Sequence, residues 1–181
     1  MQKKIKRILD FWFEDCDPKD WFKKDKCFDN QIKKNFGNLI EDAVLGYCND
    51  WQRSLDGSLA LTILTDQFTR NVFRGTPRSF SGDIIALGTC LNCLSTFDVS
   101  RQKKERLHFI LIPLMHSENL KIQEMSLPFF QAYTSEKVFQ YALKHKNIIA
   151  RFGRFPHRNA ILGRISTKSE IQFLKSPGSS F

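Results

Sequence analysis

Apolar residues recur at helical spacing along almost the whole chain. In the first predicted helix one face carries Ile5, Ile8, Leu9, Trp12 and Phe13. Spacings of three and four residues are typical of an amphipathic helix, and no stretch shows the strict alternation typical of a half-buried strand. The pattern therefore predicts an all-α fold.

One predicted helix, running from about 56 to 75, is apolar on most of its surface. Its apolar positions are Leu59, Leu61, Ile63, Leu64, Phe68 and Val72. A helix that is apolar all round belongs in the interior, so we expect it to be central. In total the pattern predicts seven or eight helices with short connections, which favours an antiparallel array in one domain spanning residues 1–181.

Capping and breaking residues predict where several helices begin and end. Asp29 is expected to begin the second helix, and Ser100 the helix that carries Leu107 and Leu114. Pro113 is expected to kink or close that helix. Near the end of the chain, Thr167 and Glu170 have the spacing of a capping box.

Composition and charge narrow the class of protein. The chain has 181 residues, of which 41% are hydrophobic and 26% charged, so it can build a packed core and is not expected to be disordered. The formal net charge is +9, and the segment 137–169 carries eight Lys or Arg but no Asp or Glu. Such a segment favours an anionic partner. Zinc-finger spacing and RNA-binding strand motifs are absent, which makes a nucleic-acid partner unlikely on sequence grounds.

The start of the chain, its longest apolar run and its cysteines together predict where the protein is located. The basic start, residues 1–7, leads into aromatic and acidic residues rather than a signal peptide. The longest apolar run, 109–115, contains Pro113 and is too short to span a membrane. Five cysteines, an odd number, predict reduced thiols in the cytoplasm. Cys90 and Cys93 form a C-x-x-C pair within a helical pattern, and we interpret them as buried helix thiols.

The densest group of polar chemistry is the segment 151–159, which contains three arginines, His157 and Asn159. Gly153 and Pro156 predict a bent backbone there. Such a loop can direct Arg151, Arg154 and Arg158 toward one anion. The competing interpretation is that these arginines form structural ion pairs with acids elsewhere in the fold.

A second candidate group lies near the end of the central helix. Asp66, Arg70 and Arg74 are spaced four residues apart and share one helical face. Because the preceding turns are so apolar, we expect this face to enter a partly buried polar pocket rather than form a surface ladder. Gln67 and Asn71 are expected in the same pocket.

The third candidate group is His116-Ser117-Glu118. With His157, these residues are candidates for proton transfer, in which Glu118 or Asp66 would orient the imidazole. No metal is expected, because the histidines lack the spacing of helix-borne metal sites. No cofactor is indicated, and Ser117 lacks the glycines of a nucleophile elbow. We expect Glu118 to accept hydrogen bonds from the arginines of 151–159.

These groups together resemble one family. The segments Asp66-Gln67-Phe68-x-Arg70-Asn71-x-Phe73-Arg74-Gly75, His116-Ser117-Glu118 and 151–164 are similar to the signature blocks of the largely bacterial domain-of-unknown-function family numbered nine hundred and twenty-four. The opening 9–13 and closing 166–170 resemble it too, so the likeness covers nearly the whole chain. Thr69 stands where the family usually has Pro, and Lys168-Ser169 replaces a Pro-acid pair. The resemblance implies a tetratricopeptide-like, α-α superhelical fold and no established activity.

The leading functional hypothesis is a pocket for a small anionic ligand, such as a phosphorylated metabolite or a nucleotide. One alternative is a non-enzymatic tetratricopeptide-like module that binds an acidic peptide or protein partner. A second is a purely structural network of arginines and acids. The predicted ligand-binding residues are Asp66, Gln67, Arg70, Asn71, Arg74, Arg151, Arg154, His157, Arg158 and Asn159.

Overall fold

The computed structural model describes residues 1–179, and every regular element within them is helical. Nine α-segments are present: α1 Gln2–Asp10, α2 Lys26–Val44, α3 Leu55–Thr62, α4 Thr69–Val72, α5 Asp83–Thr96, α6 Lys104–His116, α7 Leu120–Tyr133, α8 Glu136–Phe152 and α9 Lys168–Leu174. A π-helical segment, Ile63–Phe68, joins α3 and α4 into one continuous helix. The segments therefore form eight helices in the described chain, and the all-α prediction is confirmed.

The continuous helix α3–α4 lies at the centre of the molecule. Every residue from 57 to 69 is buried. α1, α5 and α6 pack against α3, while α2 packs against the π-helical segment and α4. The prediction that this apolar helix is central is confirmed, because only a helix surrounded on all sides can bury its whole circumference.

The second half of the molecule is built from sequence neighbours. α5 packs on α6, α6 on α7, and α7 on α8. This succession of helix pairs is compatible with the tetratricopeptide-like array that the family resemblance implies. The end of α6, the second half of α8 and the turn after α8 consequently line one region together with α4, which places the candidate site.

Two predicted helix starts are wrong. Asp25, and not Asp29, caps α2, since its carboxylate accepts hydrogen bonds from the backbone N–H groups of Cys27 and Phe28. Asp29 lies one turn inside α2 and is free to bind Arg74 instead. The helix predicted from Ser100 begins at Lys104. Ser100 is bound to Asp98 in the preceding turn, which competes with helix formation there.

Pro113 neither ends nor closes its helix. α6 continues through it to His116. A proline removes one backbone donor, and the buried apolar contacts of Ile112 and Leu114 hold the last turn together. The capping box at α9 is confirmed: the Thr167 hydroxyl accepts from the Glu170 N–H, while the Glu170 carboxylate accepts from the Thr167 N–H.

Gly82 allows the π-helical segment to touch the start of α5. A Cβ atom placed on Gly82 would lie 2.1 Å from the carbonyl oxygen of Thr65. Only a residue without a side chain permits that approach. The contact fixes α5, and with it Asp83, against the helix that carries Asp66.

All five cysteines are free thiols. Cys90 and Cys93 are buried on α5, as predicted for helix thiols, and burial raises the pKa of the Cys93 thiol to about 11. Neither thiol is therefore ionised near neutral pH. Across residues 1–179 no helix is both long and apolar enough to cross a membrane.

Candidate functional site

A pocket of about 460 Å³ opens where α4, the turn Pro77–Phe80, the end of α6, α8 and the turn Pro156–Arg158 meet. Among the described residues that line this pocket, none is Asp or Glu. Its aromatic and apolar wall includes Trp21, Phe22, Phe80, Ile112 and Phe155. Its basic side chains are Lys23, Lys24, Arg70, Arg74 and Arg158, with the imidazoles of His116, His145 and His157.

Asp66 and His116 form the innermost pair of the site. The Asp66 carboxylate lies on the π-helical segment and is fully buried. Its Oδ1 and Oδ2 are 2.8 and 3.0 Å from Nδ1 of His116, at the end of α6. Gln67 also donates to this carboxylate, at 2.6 Å. Asp66 therefore lies behind the pocket wall and orients the imidazole that lines it.

The charges in this pair follow from burial and from Arg70. Burial by itself would raise the pKa of Asp66, but Arg70 and His116 together hold it below its usual value. Burial lowers the pKa of His116, and Asp66 offsets this only in part. Near neutral pH the carboxylate is thus ionised and the imidazole neutral. Nδ1 then carries the proton and donates to Asp66, so Nε2 is the acceptor nitrogen.

Two guanidinium groups share Asp83 beside this pair. Arg70 donates to the Asp66 backbone carbonyl at 2.6 Å, and Nη2 of Arg70 lies 2.9 Å from Oδ1 of Asp83. Arg158 donates to the other oxygen of Asp83 at 3.1 Å and to the His116 carbonyl at 3.0 Å. Asp83 thus lies behind the two arginines and does not line the pocket, so the positive charge of the arginines faces the pocket.

Arg158 is buried between two aromatic rings. Its guanidinium carbon lies 4.7 Å from the ring centres of both Phe80 and Phe155. Burial lowers the pKa of Arg158 to about 10, so the side chain stays charged at neutral pH. Its Nε has no hydrogen-bond partner within residues 1–179. A buried donor of this kind is costly unless something else binds it.

Two further imidazoles complete the inner wall. Burial lowers the pKa of His145 to about 3 and that of His157 to about 4. Both rings are therefore neutral near pH 7. Nδ1 of His145 lies 2.7 Å from the Tyr141 carbonyl oxygen, which can only accept, so that nitrogen carries the proton.

The pocket rim is formed by the loop before α2 and the end of α4. Arg74 binds both oxygens of Asp29 at 2.8 Å, and Asn71 donates to the same carboxylate at 2.8 Å. Lys23 lies 3.1 Å from Asp25. Lys24 makes no ion pair with any carboxylate of residues 1–179, and the neighbouring Phe22 is 60% exposed.

The three arginines of 151–159 do not converge, and that prediction is wrong. Gly153 ends α8 in the left-handed conformation, with φ of 68°, and turns the chain so that residues before and after it face different neighbours. Arg151 packs over the rings of Phe152 and Phe173.

Two more predicted ligand-binding residues also lie outside the pocket. Arg154 binds the carboxylate of Glu170 at 2.7 and 2.9 Å. Asn159 is fully buried and donates to Ser166. Of the polar residues in this segment, only His157 and Arg158 line the pocket.

Glu118 holds the turn after α8 in place and does not line the pocket. Its two oxygens accept from Arg164 at 2.7 and 2.9 Å, and Oε1 also accepts from the Phe155 backbone N–H at 2.8 Å. The expected partners in 151–159 were wrong, since Arg164 takes that position. Asp66, in contrast, is placed to orient His116.

Sequence reasoning missed several residues that build the site. Asp83 and Phe80 come from a connection whose position beside α4 depends on Gly82. His145 had a detectable signal, because it shares the buried face of α8 with Ala142 and Ile149. Lys23 and Lys24 lie in an irregular loop, where no periodicity points inward. Within residues 1–179, no three His, Cys, Asp or Glu side chains gather in a way that could hold a metal ion.

Comparison with known proteins identifies the family. The model of a family described as "Bacterial protein of unknown function (DUF924)" matches residues 8–178. The solved structure of a protein of unknown function from Agrobacterium tumefaciens, ATU0120, is 33% identical, with a TM-score of 0.89 over 96% of this chain and 98% of that one. No curated protein matches. The chain therefore belongs to the DUF924 family of bacterial proteins.

Proposed function

We propose that the pocket binds a small anionic ligand. The proposal rests on the charge of the side chains that line the pocket. Five of them are basic and three are imidazoles, and no described lining residue is acidic. The carboxylates that balance these cations, such as Asp66 and Asp83, lie behind them. A water-excluding wall strengthens the attraction of such a surface for an anion.

The size of the pocket and its unpartnered donor support a small ligand. A volume of about 460 Å³ lies within the usual range for small-molecule sites. Nε of Arg158 is a buried donor without a partner in the described chain. An oxyanion beside Arg158 would satisfy it through a charge-assisted hydrogen bond. The free thiols favour a cytoplasmic metabolite as the source of that anion.

Each alternative explains part of the molecule less well. An acidic-peptide module needs an extended basic groove, whereas these cations gather around one pocket. A structural role suits the outer arginines, because Arg154 and Arg164 each bind a carboxylate through two hydrogen bonds. We therefore assign those two to the fold and the pocket cations to the ligand.

A thermal-shift and calorimetry screen tests the proposal. The probes are inorganic phosphate, phenyl phosphate, adenosine monophosphate, citrate and benzoate. We expect at least one to raise the unfolding temperature of the native chain. The double variant Lys23→Glu/Lys24→Glu should weaken that probe's binding about tenfold or more, because two charges at the rim are reversed.

The matched control is Lys168→Glu/Lys175→Glu, which makes the same charge change at exposed positions of α9. This control should bind like the native chain. Equal weakening in both double variants would mean that only net charge matters, and no response to any probe would refute the proposal.

A further inference from the structure

The hydrogen-bond chemistry of His116 restricts which anion the pocket accepts. Its Nδ1 donates to the buried carboxylate of Asp66, at 2.8 Å, which fixes the orientation of the ring. In the neutral ring the remaining nitrogen, Nε2, is an acceptor.

The geometry leaves Nε2 for a bound molecule. The Nδ1 edge of the ring is held against the fully buried Asp66, while the ring itself lines the pocket with 16% of its side chain exposed. Within residues 1–179, Nε2 of His116 has no hydrogen-bond partner. His116 therefore offers the pocket a fixed acceptor among the positive charges.

The acceptor and the cations belong to one small region. Arg158 donates to the backbone carbonyl of His116 itself, at 3.0 Å. Arg70 shares the Asp66 carboxylate with the imidazole, lying 3.4 Å from Oδ1. An anionic group held by these two arginines would thus lie beside the imidazole.

We propose that the site selects the singly protonated form of a phosphate monoester. Its P–O–H would donate to Nε2 of His116, and its charged oxygens would face Arg70 and Arg158. A phosphoryl group suits this set because its second pKa is about 6, so one small group carries both a proton and a negative charge near neutrality. A sulfate ester carries the same charge without the proton, and its oxygen would face the Nε2 lone pair.

This inference rests on the proposed anion pocket and is tested with one matched pair of probes. Phenyl phosphate and phenyl sulfate have the same ring and, at about pH 6, a similar single charge on the form that matters. Titration calorimetry should show phenyl phosphate binding about tenfold or more tightly, since the sulfate leaves the Nε2 acceptor of His116 unpaired.

The pH profile gives a second, independent readout. From about pH 6 to pH 8 the affinity for phenyl phosphate should fall roughly fiftyfold, as its monoanion is titrated away. The affinity for phenyl sulfate should stay flat over the same range. A rise in phenyl phosphate affinity with pH would mean that the dianion binds, and would overturn the inference.

The variant His116→Asn separates the acceptor from the fold. The Asn amide N–H can replace Nδ1 as the donor to Asp66, but nothing replaces Nε2. This variant should lose the preference for the phosphate ester, while Lys23→Glu/Lys24→Glu should weaken both esters alike. His108→Asn is the control: His108 packs on Phe109 outside the pocket, so the preference should be kept.

The outcomes for the two proposals are distinct. If both esters bind equally, the anion pocket stands and the selectivity for a protonated phosphoryl group is refuted. If neither ester binds but a carboxylate probe does, the selectivity is likewise refuted and the pocket stands. If no anion binds at all, both proposals fail.

Discussion

Arg158 shows how one buried cation serves both the fold and the site. Its guanidinium bridges Asp83 and the end of α6, between the rings of Phe80 and Phe155. The sequence predicted Arg158 as a site residue but did not predict its partners. The acid that it binds, Asp83, is 75 residues away in the chain.

Replacing Arg158 with Ala is expected to lower the free energy of unfolding by about 3 kcal/mol, because it breaks a buried pair and removes packing between two rings. Urea denaturation at pH 7 measures the change. Arg151→Ala is the matched control, since Arg151 is exposed and only covers aromatic rings. It should change stability by less than about 0.5 kcal/mol. Similar losses in both variants would contradict the role assigned to Arg158.

At the scale of elements, the position of α5 against the central helix decides whether the site forms. The π-helical segment Ile63–Phe68 contains both Asp66 and Thr65, and Thr65 contacts Gly82 at the start of α5. Asp83, the next residue, is thereby brought to Arg70 and Arg158. π-helical turns often occur at functional sites, and here the turn aims a buried carboxylate.

Gly82→Ala is expected to destabilise the protein by about 2 kcal/mol, since the new methyl group would overlap the Thr65 carbonyl. Gly88 lies inside α5 and is exposed, and a Cβ placed on it meets no atom within 4 Å. The matched variant is therefore Gly88→Ala. It should instead stabilise the protein by about 0.5–1 kcal/mol, as alanine favours a helix interior. Urea midpoints of both variants check this. A stable Gly82→Ala protein would show that α5 can shift without cost.

At the scale of the whole molecule, three histidines that are partly or fully buried are neutral near pH 7. Burial lowers the pKa of His145 to about 3 and the pKa values of His108 and His157 to about 4, against 6.5 for an ordinary histidine. The unfolded chain therefore binds more protons than the folded chain between these values. Stability from this source is complete above about pH 6.5 and falls as the pH falls.

We expect the free energy of unfolding to decrease already between pH 6.5 and pH 5, before carboxylates titrate. With three histidines involved, the slope should approach about 4 kcal/mol per pH unit near pH 5. Urea denaturation at several pH values measures it. His145→Asn, whose amide N–H can replace Nδ1 as the donor to the Tyr141 carbonyl, should reduce the slope by about a third. A flat profile down to pH 5 would contradict the burial of neutral rings.

Helix content, the central helix and the terminal capping box were predictable from sequence because each depends on residues within a few turns. The helical spacing of apolar residues predicts the burial of Leu59, Ile63 and Phe68. The capping box needs only Thr167 and Glu170. The start of α2 was predicted wrongly, because Asp25 and Asp29 are both local candidates and only a distant arginine decides between them.

The candidate site divides in the same way. Local sequence indicated Asp66, Arg70, His116 and Arg158 as candidate site residues, but it indicated Arg154 equally. Only the tertiary structure decided that His116 meets Asp66, 50 residues away, and that Arg154 meets Glu170 rather than the pocket. The physical reason is that periodicity and capping act over a few residues, whereas the pairing of buried charges depends on which helix ends the packing brings together.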